Sequence, residues 1–125
     1  MVQVRSKFQD IRVLEDVNAG LAWDGPLVIM VNHNSASASE ILAAAIQDYK
    51  RGCIVGTQSY GKGTVQSFID LDQMVPEHLN ALKPAGSVKV TQQKFYRING
   101  GSTQLKGVTP DVMLPDLDGF EVCRQ

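Results

Sequence analysis

Cysteine is scarce in this chain. Cys53 and Cys123 are the only two in 125 residues, too few for a disulfide framework, and no CxxC pair suggests zinc or redox chemistry. Cys53 sits in Cys-Ile-Val and reads as a small buried hydrophobe. An excess of one charge is missing too. Twelve Lys+Arg stand against thirteen Asp+Glu, a net charge of −1, so the basic surplus that marks nucleic-acid binders is absent and no nucleic-acid partner is expected. The longest apolar run, Pro26 to Val31, is far too short to cross a bilayer. No basic-then-apolar leader opens the chain. No spacing of His, Cys, Asp or Glu has the form of a metal site, and no cofactor is expected.

What is present is an ordinary globular composition, 43% hydrophobic and 20% charged, in a length suited to one domain. Residues 1–25 are mixed and polar, with weak alternation at Val2-Gln3-Val4 and Ile11-Arg12-Val13-Leu14. They read as a lead-in, and the whole as a fragment of a larger domain. Pro26 to Asn32 has the continuous apolar pattern of a strand covered on both faces, as in a parallel sheet. The periodicity predicts a helix over 38–49 with Ala38, Ile41, Leu42, Ala45, Ile46 and Tyr49 on its buried stripe, and Gly52 as its C′ residue. Cys53 to Gly56 is a second buried strand, completing a right-handed βαβ unit. Further strands are expected at 65–71, at 86–97 and after Pro110. Residues 73–84 form a loop with one helical turn, and Asn99-Gly100 signals a hairpin. The fold class is α/β: a βαβ core with an antiparallel appendage over 26–115, followed by a tail at 116–125.

Chemistry concentrates in two places. Asn34 to Glu40 joins a strand to a helix start, and Ser59 to Thr64 follows the next strand. In a parallel βαβ unit both lie near the C-terminal edge of the sheet, where open α/β folds bind ligands. Ser37 at a helix N-terminus faces free N–H groups and the positive end of the macrodipole, an environment suited to a nucleophile. Ser37-Ala38-Ser39-Glu40 equally fits a capping box in which Ser37 only caps. Lys62 lies between Gly61 and Gly63. It reads either as a solvated loop lysine or as a base for a serine hydroxyl, as in Ser-Lys variants of the hydrolytic triad. A lysine base must be desolvated, because the ordinary value of about 10.4 leaves little free amine near neutrality. Gln66 could then orient the amine without adding charge. Gly56 to Lys62 also satisfies G-x-x-x-x-G-K, but Gly63 replaces the required Ser or Thr and a strand, not a helix, follows. A Ser-His-Asp set could nominally draw on His33 and Asp111. A non-catalytic alternative is a peptide-interaction module that uses an exposed edge of the 86–97 strand.

Three blocks decide among these readings by resemblance. Ser35-Ala36-Ser37-Ala38-Ser39-Glu40-Ile41, Gly61-Lys62-Gly63-Thr64-Val65-Gln66 and Gly107-Val108-Thr109-Pro110-Asp111 resemble the carboxy-terminal processing peptidases, family S41. Gln92 to Gln104 is similar to their bacterial tail-specific subgroup. The resemblance implies a ClpP/crotonase-like peptidase domain and a serine endopeptidase with a Ser-Lys dyad. Ser37 is then the nucleophile, Lys62 the base, Gln66 the residue that positions the lysine, and the Ala38 N–H one oxyanion donor. It further implies protein or peptide substrates with apolar C-termini, a periplasmic setting, and a parent protein that can associate with a membrane. The family's PDZ domain and its upstream glycine-rich turn, source of a second oxyanion donor, have no match in this sequence. Isolated activity is therefore expected to be weak or nil.

Overall fold

The computed structural model describes residues 2–7, 9–18 and 20–115; the 116–125 tail lies outside them. Seven strands and one α-helix follow in order: β1 (Val2–Ser6), β2 (Arg12–Leu14), β3 (Val28–Val31), α1 (Ala38–Asp48), β4 (Cys53–Gly56), β5 (Thr64–Asp70), β6 (Ser87–Tyr96) and β7 (Val112–Met113). They form two sheets. β3, β4 and β7 make a parallel sheet in that order, and β2-β1-β6-β5 makes an antiparallel one. The mixed α/β architecture and the β3-α1-β4 unit are as the apolar runs and helical period imply.

The core lies between α1 and the parallel sheet, where Val31, Ala43, Ala44, Ile54 and Val108 are buried together. Each large apolar side chain sealed there contributes about 1.5–3 kcal/mol. The helix is rotated from the face its apolar residues predict. Glu40, Ala43 and Ala44 are its buried positions, whereas Leu42 and Tyr49 are exposed. Small residues let the helix approach the sheet closely, and Glu40 is buried because it finds polar partners. The helix ends at Asp48 with Tyr49 as its C-cap, and Lys50 rather than Gly52 takes the left-handed position after it, with φ 52°.

Other expectations change as well. β3 is covered on one face only: Val28 and Met30 are 61% and 76% exposed. Cys53, paired with Val28 in the register, is half-buried rather than buried. Asn99-Gly100 makes a tight turn, closed by Arg97 N–H to Gly101 O at 2.8 Å with Gly100 at φ 80°, but no return strand pairs there among the described residues. The weak alternations in the lead-in are β1 and β2, and β1 pairs along β6 from Gln3↔Tyr96 to Ser6↔Gln93. β6 is thus interior, with β1 on one side and β5 on the other. β1 covers this edge only from Gln93 to Tyr96; Ser87 to Thr91 pair with β5 alone among the described residues, so the edge that the strand-docking alternative needs is confined to that half. The β5–β6 connection carries two 3₁₀ turns, Leu71–Met74 and Glu77–Leu82.

Candidate active site

The parallel register sets Val31 opposite Gly56, so the chain leaves β3 and β4 at one edge of the sheet. Local bonds then draw the two outgoing loops together. Thr57 N–H donates to Val31 O and Tyr60 N–H to Ser35 O, each at 3.0 Å.

The main connection is the Glu40 carboxylate, which has no exposed surface. Oε1 accepts from Ser59 Oγ at 2.6 Å and from Gly61 N–H at 2.7 Å. Oε2 accepts from Ser37 N–H and Lys62 N–H, both at 2.8 Å. Burying a carboxylate is costly unless its acceptor capacity is used. Here four donors use it, and the carboxylate sits in the first turn of a helix, where the macrodipole favours negative charge. Because two amides share Oε2, the Ser37 and Lys62 nitrogens lie no further apart than twice that bond length. A capping box is present, but its glutamate also grips the lysine loop. Sequence reading saw only the capping half. The signal it could have used is the series Glu40, Ala43, Ala44, Gln47, a narrow helical face of small residues and one acid.

Ser37 precedes the first helical residue with φ 58° and ψ −109°. A positive φ in a non-glycine residue costs about 1–3 kcal/mol and is retained where surrounding contacts over-determine it. Ala38 opens the helix. Lys62 is half-buried, and its loop is stitched to the 103–108 segment. Leu105 N–H donates to Gly61 O at 2.8 Å, Gly63 N–H to Gln104 Oε1 at 2.8 Å, and Val108 N–H to Ser59 Oγ at 2.7 Å. Gly63 permits this approach, since a Cβ there would stand 2.6 Å from Gln104 N. Ser59 and Gln104 were not singled out by sequence; both act through contacts distant in the chain. Gln66 is exposed on β5, next to a register shift between Val65 and Gln66, and donates from Nε2 to Thr91 Oγ1 at 3.2 Å.

His33 and Asp111 are not brought together. His33 follows the C-terminal end of β3, whereas Asp111 is held near the start of β4. Its carboxylate accepts from Ile54 N–H and Gln47 Nε2, both at 2.8 Å. Those two bonds, the Ile54 amide first, lower its pKa from 3.8, with Arg97 adding to the effect and desolvation opposing it. No group of His, Cys, Asp and Glu among the described residues could hold a metal ion.

Known proteins resemble this chain in sequence and fold. The sequence matches peptidase family S41 over residues 1–114. It is 52% identical over 123 residues to a tail-specific protease of Haemophilus influenzae, covering 94% of this chain and 16% of that protein. It is 36% identical over 115 residues to a carboxy-terminal-processing protease of Bartonella bacilliformis, covering 91% and 24%. The solved photosystem II D1 C-terminal processing protease superposes with a TM-score of 0.68 at 34% identity, over 98% of this chain and 30% of that one. The chain spans less than a third of each of these proteins. With one family accounting for residues 1–114, and the same fold present in a solved protease at 34% identity, the chain belongs to peptidase family S41.

Proposed function

We propose that this chain carries the nucleophile and general base of a serine-type, tail-specific endopeptidase on a ClpP/crotonase-like core. The observation that carries the reading is the shared Glu40 oxygen, which ties the Ser37 and Lys62 backbones to one point. Ser37 Oγ attacks the scissile carbonyl while Lys62 Nζ takes its proton. The tetrahedral oxyanion lies against the Ala38 N–H at the helix start, where dipole and free amides favour negative charge. Collapse breaks the peptide bond, and the leaving amine takes the proton back from Lys62. The free Lys62 amine then takes a proton from water, whose oxygen attacks the acyl carbonyl, and Lys62 returns that proton to Ser37 Oγ as the ester bond breaks. Gln66 orients the lysine through its carbonyl oxygen while its Nε2 is held by Thr91.

The substrates in this reading are proteins with apolar C-terminal tails, met in the bacterial periplasm; the names of the relatives above, tail-specific and carboxy-terminal-processing, support action at protein C-termini. Among the described residues no helix is long and apolar enough to cross a membrane. A mechanism-based serine label on the full-length protein is expected to modify Ser37. Ser37→Ala and Lys62→Ala each lower kcat/KM by at least about 10⁴-fold, whereas Ser35→Ala and Ser39→Ala have far smaller effects. Labelling that survives Ser37→Ala but not Ser35→Ala would move the nucleophile.

A further inference from the structure

Beside the lysine loop, the antiparallel sheet carries an open cleft of about 370 Å³. It is lined by Arg5, Lys7 and Lys94 together with Thr64, Thr91 and Gln93. The cations are grouped in a chain whose net charge is only −1. In the register Arg5 stands directly opposite Lys94, and Lys94 directly opposite Thr64, so all three side chains share one face. The other face is the core face, where the next pair on β6, Val4↔Phe95, puts Phe95 in the interior. Like charges directly opposed across strands are destabilising. Among the described residues no carboxylate lies within ion-pair distance of Arg5 or Lys94. Lys94 instead lies over the Tyr96 ring, 5.6 Å from its centre.

A cation pair of this kind has the form of a receptor for an anion. The arginine fork suits a carboxylate in particular, with hydroxyl and amide groups beside it to complete its hydrogen bonding. The cleft's place says which carboxylate. Thr64 follows Lys62 by two residues, and Lys94 and Arg5 lie one and two strand spacings beyond it. With strands about 4.8 Å apart and about 3.3 Å per extended residue, an extended peptide at the lysine reaches the cation pair within about two to four residues. We propose that Arg5 and Lys94 form a specificity subsite for a carboxylate of the peptide substrate, a few residues from the scissile bond. This rests on the peptidase reading above.

The test uses the full-length protein and fluorescent peptides that differ only by Glu or Gln, scanned over four positions on each side of the cleaved bond. Each is made with a free and an amidated C-terminus. Binding is read by anisotropy in the Ser37→Ala variant and does not need turnover. At one position the Glu peptide is expected to bind about fivefold tighter than its Gln partner, the upper end for solvent-exposed ion pairs. That ratio falls towards one in Arg5→Gln and Lys94→Ala. In Lys94→Glu the preference turns to a peptide with Lys at that position. A preference that follows amidation instead of Glu assigns the site to the substrate's terminal carboxylate. A ratio near one for every pair, or one that survives all three substitutions, overturns the proposal. Thermal midpoints check folding, and none should fall in Arg5→Gln or Lys94→Ala, since both relieve repulsion. If the Ser37 protein cleaves neither peptide, the peptidase reading fails while the anisotropy ratio still decides the cleft.

Discussion

Glu40 joins folding to chemistry at a single residue. Its partners are an N-cap amide, a buried hydroxyl and two amides of the lysine loop. Glu40→Gln keeps the shape but turns one end of the side chain into a donor, which must then face donors. The expected cost is about 3 kcal/mol, measured as a lower urea midpoint. Cleavage by the full-length protein should fall with it, although Ser37 and Lys62 are untouched. Gly63→Ala tests the same loop sterically. Its new Cβ would press on Gln104 N at 2.6 Å and Ser102 Oγ at 2.7 Å, an overpacking worth about 1–3 kcal/mol. An unchanged unfolding midpoint would show that the loop gives way.

At the scale of elements, α1 is fastened to both sheets at its C-terminal end. Arg97, just past β6, donates from Nε to Asp48 Oδ2 at 3.0 Å and from Nη2 to Asp48 Oδ1 at 2.6 Å. It also donates from Nη2 to Gln47 Oε1 at 2.9 Å. Gln47 in turn donates to Thr109 O and Asp111, and Asp111 accepts the Ile54 amide of β4. An acid at a helix C-terminus is disfavoured by the macrodipole, and the arginine offsets it. The Asp48 and Arg97 side chains are only 10% and 20% exposed, so Arg97→Ala strands a largely buried charge, at about 3–5 kcal/mol by chemical denaturation. Lysine cannot reproduce the fork, so Arg97→Lys should recover only part of the loss. Asp111 makes the same joint pH-sensitive. Folding lowers its pKa below 3.8, so its stabilisation is complete above that value and drains away as pH falls through the lower folded pKa. In Asp111→Asn, stability is expected to be lower at neutral pH and to vary less with pH below about 4, as urea midpoints across that range would register.

At the scale of the molecule, the parallel sheet has one covered face and one bare one. Val28 and Met30 stand exposed on β3, with Val112 exposed on β7. Parallel sheets are normally covered on both faces, and contiguous exposed apolar surface binds dyes and promotes association. The 125-residue chain by itself should therefore bind a hydrophobic dye and self-associate with concentration, and Met30→Lys should weaken both in fluorescence and sedimentation measurements.

Local pattern was enough for much of this. The span of α1, the limits of β4, and the candidacy of Ser37 and Lys62 follow from helical period, capping chemistry and flanking glycines, each settled within a few residues. Tertiary structure decided the rest. The buried side of α1 depends on which face finds partners, and Glu40 finds them nineteen to twenty-two residues away. The interior place of β6 depends on β1, some ninety residues distant, whose own alternation is too weak to announce a central strand. Arg5 and Lys94 are ordinary solvated residues in one dimension and become a charge pair only in register. Sequence determines the conformations whose bonds close locally. Burial, sheet order and electrostatic neighbours arise from long-range pairing, and no local window contains them.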